Sequence, residues 1–261
     1  MIRKIDRQEY FMKIFGLIAG CVFVLIYCCG CCCFDSGQVD SNDVMYAKYT
    51  SDAIEVDGHL DEAVWGRCEC YPMYLCGDRA VDGRELEEGG YVKLSWDEEY
   101  LYVGVLFKDS EIKAEGQEDN LAHFMLGDVC ELFVKPEGHK WYWEMYGTPV
   151  GKKTCYFLKE HRAKPEVVTG VDLQVGAFNY GSVNNGEDRD DAYCVEMAVA
   201  LKDLWRGDEG EFSKCKWRIL VARYNYSSYL FHESPEYSSS PGLSKTDYHL
   251  LEEYSDLLMI K

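Results

Sequence analysis

"YVKLSWDEEYLYVGVLFKD", residues 91–109, decides the fold. Residues 91–96 and 100–109 are rich in β-branched and aromatic side chains, which suit a pleated, half-buried surface. Between them "DEE" (97–99) is a three-residue acidic turn, so the stretch reads as a β-hairpin. The same grammar continues downstream in "DVCELFVK", "WYWEMYG", "KTCYFLKE", "VDLQVGAFNY", "YCVEMAVAL" and "KWRILVARYNY". Short strands at this spacing predict an all-β protein, an antiparallel β-sandwich. Helical signal is confined to short turns at 61–66 and "LKDLW" (201–205), and "NNGEDRDD" (184–191) and "SPEYSSSPGLSKTD" (234–247) read as polar loops.

Working outward, "IEVDGHLDEAVW" (54–65) reads as strand, turn and helical cap. Gly58 suits a turn at positive φ, Asp61 and Glu62 favour a helix N-terminus, and Trp65 tucks into one end of the sandwich. The acids here are expected to cap rather than catalyse.

The N-terminal segment is of a different kind. "MIRKIDRQEYFMK" is a basic n-region, "IFGLIAGCVFVLIY" an apolar run and "CCGCCC" a thiol cluster, before the polar "FDSGQVDSND". This is the pattern of an export signal ending at a lipid-bearing cysteine. Residues 1–33 are therefore expected to be a lipoprotein-type signal, 34–43 a tether and 44–261 the folded domain, lipid-anchored to a membrane of the bacterial cell envelope. Cys31 is the preferred lipidation site; Cys21, at the end of "LIAGC", is the alternative. Residues 14–33 are also about long enough to remain as an uncleaved membrane anchor.

A formal charge of −19 and the lack of a basic patch exclude nucleic acid as a partner, because such a field repels a phosphate backbone. Seven of the 13 cysteines lie in the domain. No C-x-x-C occurs there, so zinc has little support, and a bridge from Cys68, Cys70 or Cys76 to a distant partner is left open.

Six motifs in order carry a resemblance: "IEVDGHLDEAVW", "LSWDEEYLYVGV", "GDVCELFV", "YCVEMAVALKDL", "WRILVAR" and "YHLLEEYSDL". Together they resemble the family-nine carbohydrate-binding modules over about residues 50–258. The resemblance implies a β-sandwich that often bears calcium, grips sugar chain ends between two aromatic rings, and is not itself an enzyme. The loop before "DVCELF" reads "NLAHFMLG", which makes Phe124 the nearest aromatic to one stacking position, and Tyr248 occupies the other. Glu131 matches the acid that bonds sugar hydroxyls, and Glu144 and Tyr146 fall where members often carry other polar ligands. The implied partner is an oligo- or polysaccharide.

Glu131, Glu144 and Glu196 each sit mid-strand between apolar neighbours, and a buried carboxylate needs a cation, a donor network or an open cleft. Arg218 and Arg223 are candidate partners, and for Glu196 a structural ion pair is expected. Two further readings stay in view. A pair of these acids could act as a glycosidase, and Met145, Met197 or His249 could ligate haem, as in sandwich domains of related fold. Acidic oxygens in "NNGEDRDD" and "DSEI" (109–112) suit calcium in chemistry, though not in the spacing of a helix-loop-helix site.

Overall fold

The computed structural model describes residues 43–206 and 215–261. The leader and tether, with Cys21 and Cys31, lie outside the described residues.

Fourteen strands are found among the described residues: β1 (Val44–Tyr49), β2 (Tyr71–Pro72), β3 (Tyr74–Leu75), β4 (Gly90–Trp96), β5 (Tyr100–Lys108), β6 (Val129–Pro136), β7 (Tyr142–Gly147), β8 (Lys153–Leu158), β9 (Glu166–Val167), β10 (Leu173–Tyr180), β11 (Ala192–Ala200), β12 (Trp217–Asn225), β13 (Glu236–Ser240) and β14 (Ser255–Ile260). The hydrogen-bonded order β10-β11-β5-β4-β1-β14-β12-β6-β7-β8-β9 curls into the two layers of a sandwich. The expected hairpin is β4–β5, paired antiparallel from Gly90↔Phe107 to Trp96↔Leu101. Asp97 closes its turn: Oδ1 accepts the backbone N–H of Glu99 and Tyr100 at 2.7 Å each, and Oδ2 accepts the Tyr102 hydroxyl at 2.8 Å.

Alternation along the strands builds the core. Leu94, Val103, Val105, Val195 and Met197 of one layer bury against Leu132, Val134, Trp143, Met145, Ile219 and Val221 of the other. At the seam β1 runs parallel to both β14 and β4, the exception to the antiparallel expectation. It is shared by both layers, and its Met45 and Ala47 are fully buried. Each layer also has an outer face. Over β4, β5 and β11 lies the 54–68 segment, with Leu60, Val64 and Trp65 packed on Tyr102 and Ala198. Over β6, β7 and β12 lie Tyr248 and Tyr254 with Leu243, packed on Phe133, Tyr142 and Leu220.

Two expectations are corrected here. The stretch 234–247 is not all loop: Glu236–Ser240 forms β13 against β12, because Tyr237 and three small serines fit an edge position that β12 leaves open. No helix forms at 61–66 either. The segment takes tight turns closed by Trp65 N–H to Glu62 C=O at 3.0 Å and Arg67 N–H to Val64 C=O at 2.8 Å. Residues 201–204 do form one helical turn, α1 (Leu201–Leu204). Among the described residues no two cysteines are bridged to one another.

Candidate functional site

The three mid-strand glutamates have different fates. Glu196 of β11 faces outward beneath the 54–65 segment and receives three donors: the Trp65 indole N–H at 2.9 Å, and the backbone N–H groups of Gly58 at 2.8 Å and Asp57 at 3.2 Å. Its cross-strand neighbours are Gly176 and Gly104. A Cβ at Gly176 would lie 2.4 Å from Val56 O, and one at Gly104 2.6 Å from Leu60 Cδ2, so both glycines give that segment room to descend onto the carboxylate. Gly58 sits at φ +93, and a Cβ there would meet the backbone of Ala177 at 2.3 Å. The stretch 54–65 is thus a fastening. The expected ion pair is replaced by neutral donors, because β12, which carries Arg218 and Arg223, lies in the other layer and does not neighbour β11. Burial still pushes Glu196 up to about 8, against the pull of the donors.

Arg223 and Arg218 partner other groups. Arg223 is fully buried, pairs with Asp109 at 2.8 Å and donates to Glu88 C=O at 2.8 Å. Arg218 lies near Asp256 at 3.5 Å and donates to Glu252 C=O at 3.1 Å.

Glu131 and Glu144 lie together on the outer face of the second layer. Register places Glu131 of β6 opposite Tyr146 of β7 and opposite Ala222 of β12, and Glu144 opposite Tyr156 of β8. The Tyr146 hydroxyl donates to Glu144 Oε1. Both carboxyls are buried, and burial is the main cause that raises them. Glu131 is driven well above the usual carboxylate range, with the like charge of Glu144 adding to the effect. Glu144 is pushed up to about 7, with the Tyr146 hydrogen bond opposing. No Lys, Arg or His is among the groups that act on either carboxyl.

Rings surround this pair. Phe124, in the helical turn His123–Met125, meets Tyr146 edge-on at 6.3 Å and Tyr224 at 5.8 Å, and Tyr146 meets Tyr156 edge-on at 5.5 Å. Tyr226 holds the Phe124 turn through a 2.6 Å hydrogen bond to its carbonyl and stacks beside Tyr224. Phe124, Tyr156 and Tyr224 are half-buried, so each keeps part of its ring open. Four of the five residues expected from sequence, Phe124, Glu131, Glu144 and Tyr146, therefore share one face. Tyr248 stands behind them: it is buried, its ring meets Tyr224 at 5.5 Å, and its hydroxyl donates to Arg223 C=O at 2.7 Å and also lies 3.2 Å from Ser238 C=O. Sequence reading missed Tyr224 and Tyr156, the open rings of this face. Counting by twos along "VARYNY" from Ala222 was the available signal for Tyr224.

The remaining candidates disperse. Met145 and Met197 are sealed in the core, whereas His249 lies on the outer face, 2.9 Å from the Tyr142 hydroxyl and edge-on to Phe133. Strand alternation puts β7 between the two methionines and His249, so neither methionine pairs with His249 as a haem ligand. Three of the carboxylates considered for calcium already accept backbone donors or face a cation. Asp190 accepts Ile112 N–H at 2.8 Å and Ser182 N–H at 2.7 Å, Glu111 accepts Ser228 N–H at 2.7 Å, and Asp109 faces Arg223. Among the described residues no three His, Cys, Asp or Glu converge on one point.

Comparison with known proteins adds the family. Its description, carbohydrate family 9 binding domain-like, matches residues 56–214, more than half of the chain. The chain belongs to that family. The family 9 domain is also similar to solved structures. A candidate carbohydrate-binding protein from Bacteroides uniformis ATCC 8492 aligns at 11% identity with a TM-score of 0.63, over 83% of this chain and 99% of that one, a likeness of fold. Two structures of a family 9 carbohydrate-binding module from Caldicellulosiruptor kristjanssonii, in complex with cellotriose and with glucose, align at 14% and 13% identity. Each has a TM-score of 0.44 and covers 83% of this chain, and 93% and 95% of the respective modules. No curated protein matches the chain.

Proposed function

We propose that this protein is a non-catalytic carbohydrate-binding protein, and that its sugar site is the outer face of β6, β7, β8 and β12. The observation that carries the reading is the register that gathers Glu131, Glu144 and Tyr146 beneath Phe124, Tyr156 and Tyr224. Pyranose rings present C–H faces that pack on aromatic rings, while their hydroxyls need directional partners. Here the rings and carboxyls share one face. Tyr248 supports the ring of Tyr224 from behind.

A glycosidase would place its acid and its base or nucleophile across a cleft from one another. Glu131 and Glu144 instead lie on one sheet face and are linked through one hydroxyl, which favours binding over hydrolysis. The leader adds location: the protein is lipid-anchored through Cys31, or Cys21, to a membrane of the bacterial envelope, where it captures oligo- or polysaccharide for breakdown by separate enzymes. Half-open Phe and Tyr rings offer less area than indoles, so the affinity is millimolar, about 4 kcal/mol.

The test is a calorimetric and glycan-array screen of the full chain beside Glu131→Ala and Tyr224→Ala. Binding is expected in the parent and lost in both folded variants, with no release of reducing ends. Failure of every glycan to bind, or undiminished binding in both variants, would overturn the reading. Mass spectrometry of the mature N-terminus checks the anchor: an unmodified chain starting at Met1 contradicts it.

A further inference from the structure

The proposed sugar face has a charge problem that its own residues leave unsolved. Glu131 is 2% exposed and Glu144 6% exposed, yet the hydroxyl that bonds to the pair among the described residues, that of Tyr146, has a single proton, which it gives to Glu144. Tyr146 is a hydrogen-bond neighbour of Glu131 as well, so two buried carboxyls depend on one hydroxyl proton. A buried carboxylate is stable when ionised only if a cation or several donors face it. Besides Tyr146, the titratable neighbours that feel the pair are Tyr156 from β8, Tyr224 from β12, Tyr226, Tyr248, Tyr254, Tyr142 and Cys130, none of them a cation. Elsewhere the molecule does supply partners to buried carboxylates. Asp109 has Arg223, and Glu196 has three N–H donors.

What surrounds the pair is aromatic. Phe124, Tyr146, Tyr156 and Tyr224 place ring faces and edges around two acids, and aromatic faces attract ammonium groups as they attract sugar C–H faces. A ring cage over two carboxyls with no protein cation has the composition of an ammonium site. Resting on the carbohydrate reading above, we propose that this face selects amine-bearing sugars, hexosamines with a free ammonium, over neutral and anionic ones. The ammonium would sit between Glu131 and Glu144 and the sugar ring against Phe124 and Tyr224. The proton balance is simple. The ligand enters as R–NH3+ and keeps its own three protons, and any proton that the two raised carboxyls hold in the empty site leaves to the buffer. A neutral sugar would displace none, and a uronic acid would bring a third negative charge to the face.

Titration calorimetry of the full chain at mildly acidic pH, with glucosamine, glucose, N-acetylglucosamine and glucuronate, each in two buffers of different ionisation enthalpy, tests this. Glucosamine is expected to bind about tenfold more tightly than glucose and to release protons, seen as a buffer-dependent heat. N-acetylglucosamine should fall back to the glucose value and glucuronate should bind least. In Glu131→Gln/Glu144→Gln, checked for its native near-UV circular dichroism, the preference should vanish. The ligand series on the unsubstituted chain decides the question even if that variant fails to fold. Equal binding of glucosamine and glucose would refute the ammonium preference and leave the carbohydrate reading standing. Binding of none of the four, with the glycan array also silent, would remove both.

Discussion

The two outer faces of the sandwich each bury glutamate in mid-strand, and they treat it in opposite ways. On the β4–β5–β11 face, Glu196 is clasped by an indole and two backbone N–H groups, and glycines on both flanking strands let those donors come down to it. On the β6–β7–β8 face, Glu131 and Glu144 share one tyrosine hydroxyl among rings. Counting donors separates the roles. A carboxylate whose lone pairs are filled by its own fold fastens that fold, and one left short of donors is disposed to receive a ligand.

The largest effect should come from breaking the fastening. Glu196→Ala strands three donors beneath the 54–65 segment, and we expect a loss of about 3 kcal/mol in urea unfolding. Glu131→Gln should change stability by no more than about 1 kcal/mol, since it exchanges a buried acid for a neutral isostere. If the two variants were equally destabilised, the distinction between the faces would fail. For binding the order reverses: Glu131→Gln should weaken sugar affinity about tenfold, equivalent to about 1.4 kcal/mol, with the circular dichroism spectrum unchanged.

A pH titration of stability sharpens the same contrast. Glu144 and Glu196 both have folded-state pKa values raised by burial, to about 7 and about 8. Between the ordinary glutamate value of 4.5 and those values the folded chain binds more protons than the unfolded one, so these groups make stability fall as pH rises through that window. Denaturant melts across that range should show the decline, and Glu144→Gln should flatten its lower part. A rise in stability over the same window in the parent, reversed in Glu144→Gln, would contradict the assignment.

The smallest effect concerns Tyr248. Tyr248→Phe removes a hydroxyl that donates to the Arg223 carbonyl near that of Ser238, and should cost about 1 kcal/mol of stability. Because its ring is buried behind Tyr224, sugar affinity should not change; a tenfold loss would restore Tyr248 to direct contact.

The layers were legible in the sequence because strand alternation is a local property. "YVKLSW" and "YLYVGVLFKD" declare a hairpin without help from distant residues. Glu131, Glu144 and Tyr146 were legible through motif position, and strand register then brought them to one face. What lay beyond the sequence depended on which face a neighbouring strand presents. Arg223 looked available to a mid-strand glutamate, yet the two-residue period aims it into the core while Ala222 and Tyr224 face outward. Similarly, Tyr248 fell at a ring position by order along the chain, but the return of residues 241–254 over β6 and β12 buries it. The serines of β13 carried no strand signal, because that strand exists by pairing with β12.

The central claim is that sugar meets the β6–β8 and β12 face and not the 54–65 face. Backbone amide shift mapping of the isotopically labelled full chain during a glucosamine titration tests it most directly. The account predicts shifts concentrated at Phe124, Glu131, residues 144–146, Tyr156 and Tyr224, with Gly58, Trp65 and Glu196 unmoved. Shifts concentrated around Gly58, Trp65 and Glu196, with Glu131 and Tyr146 silent, would contradict it.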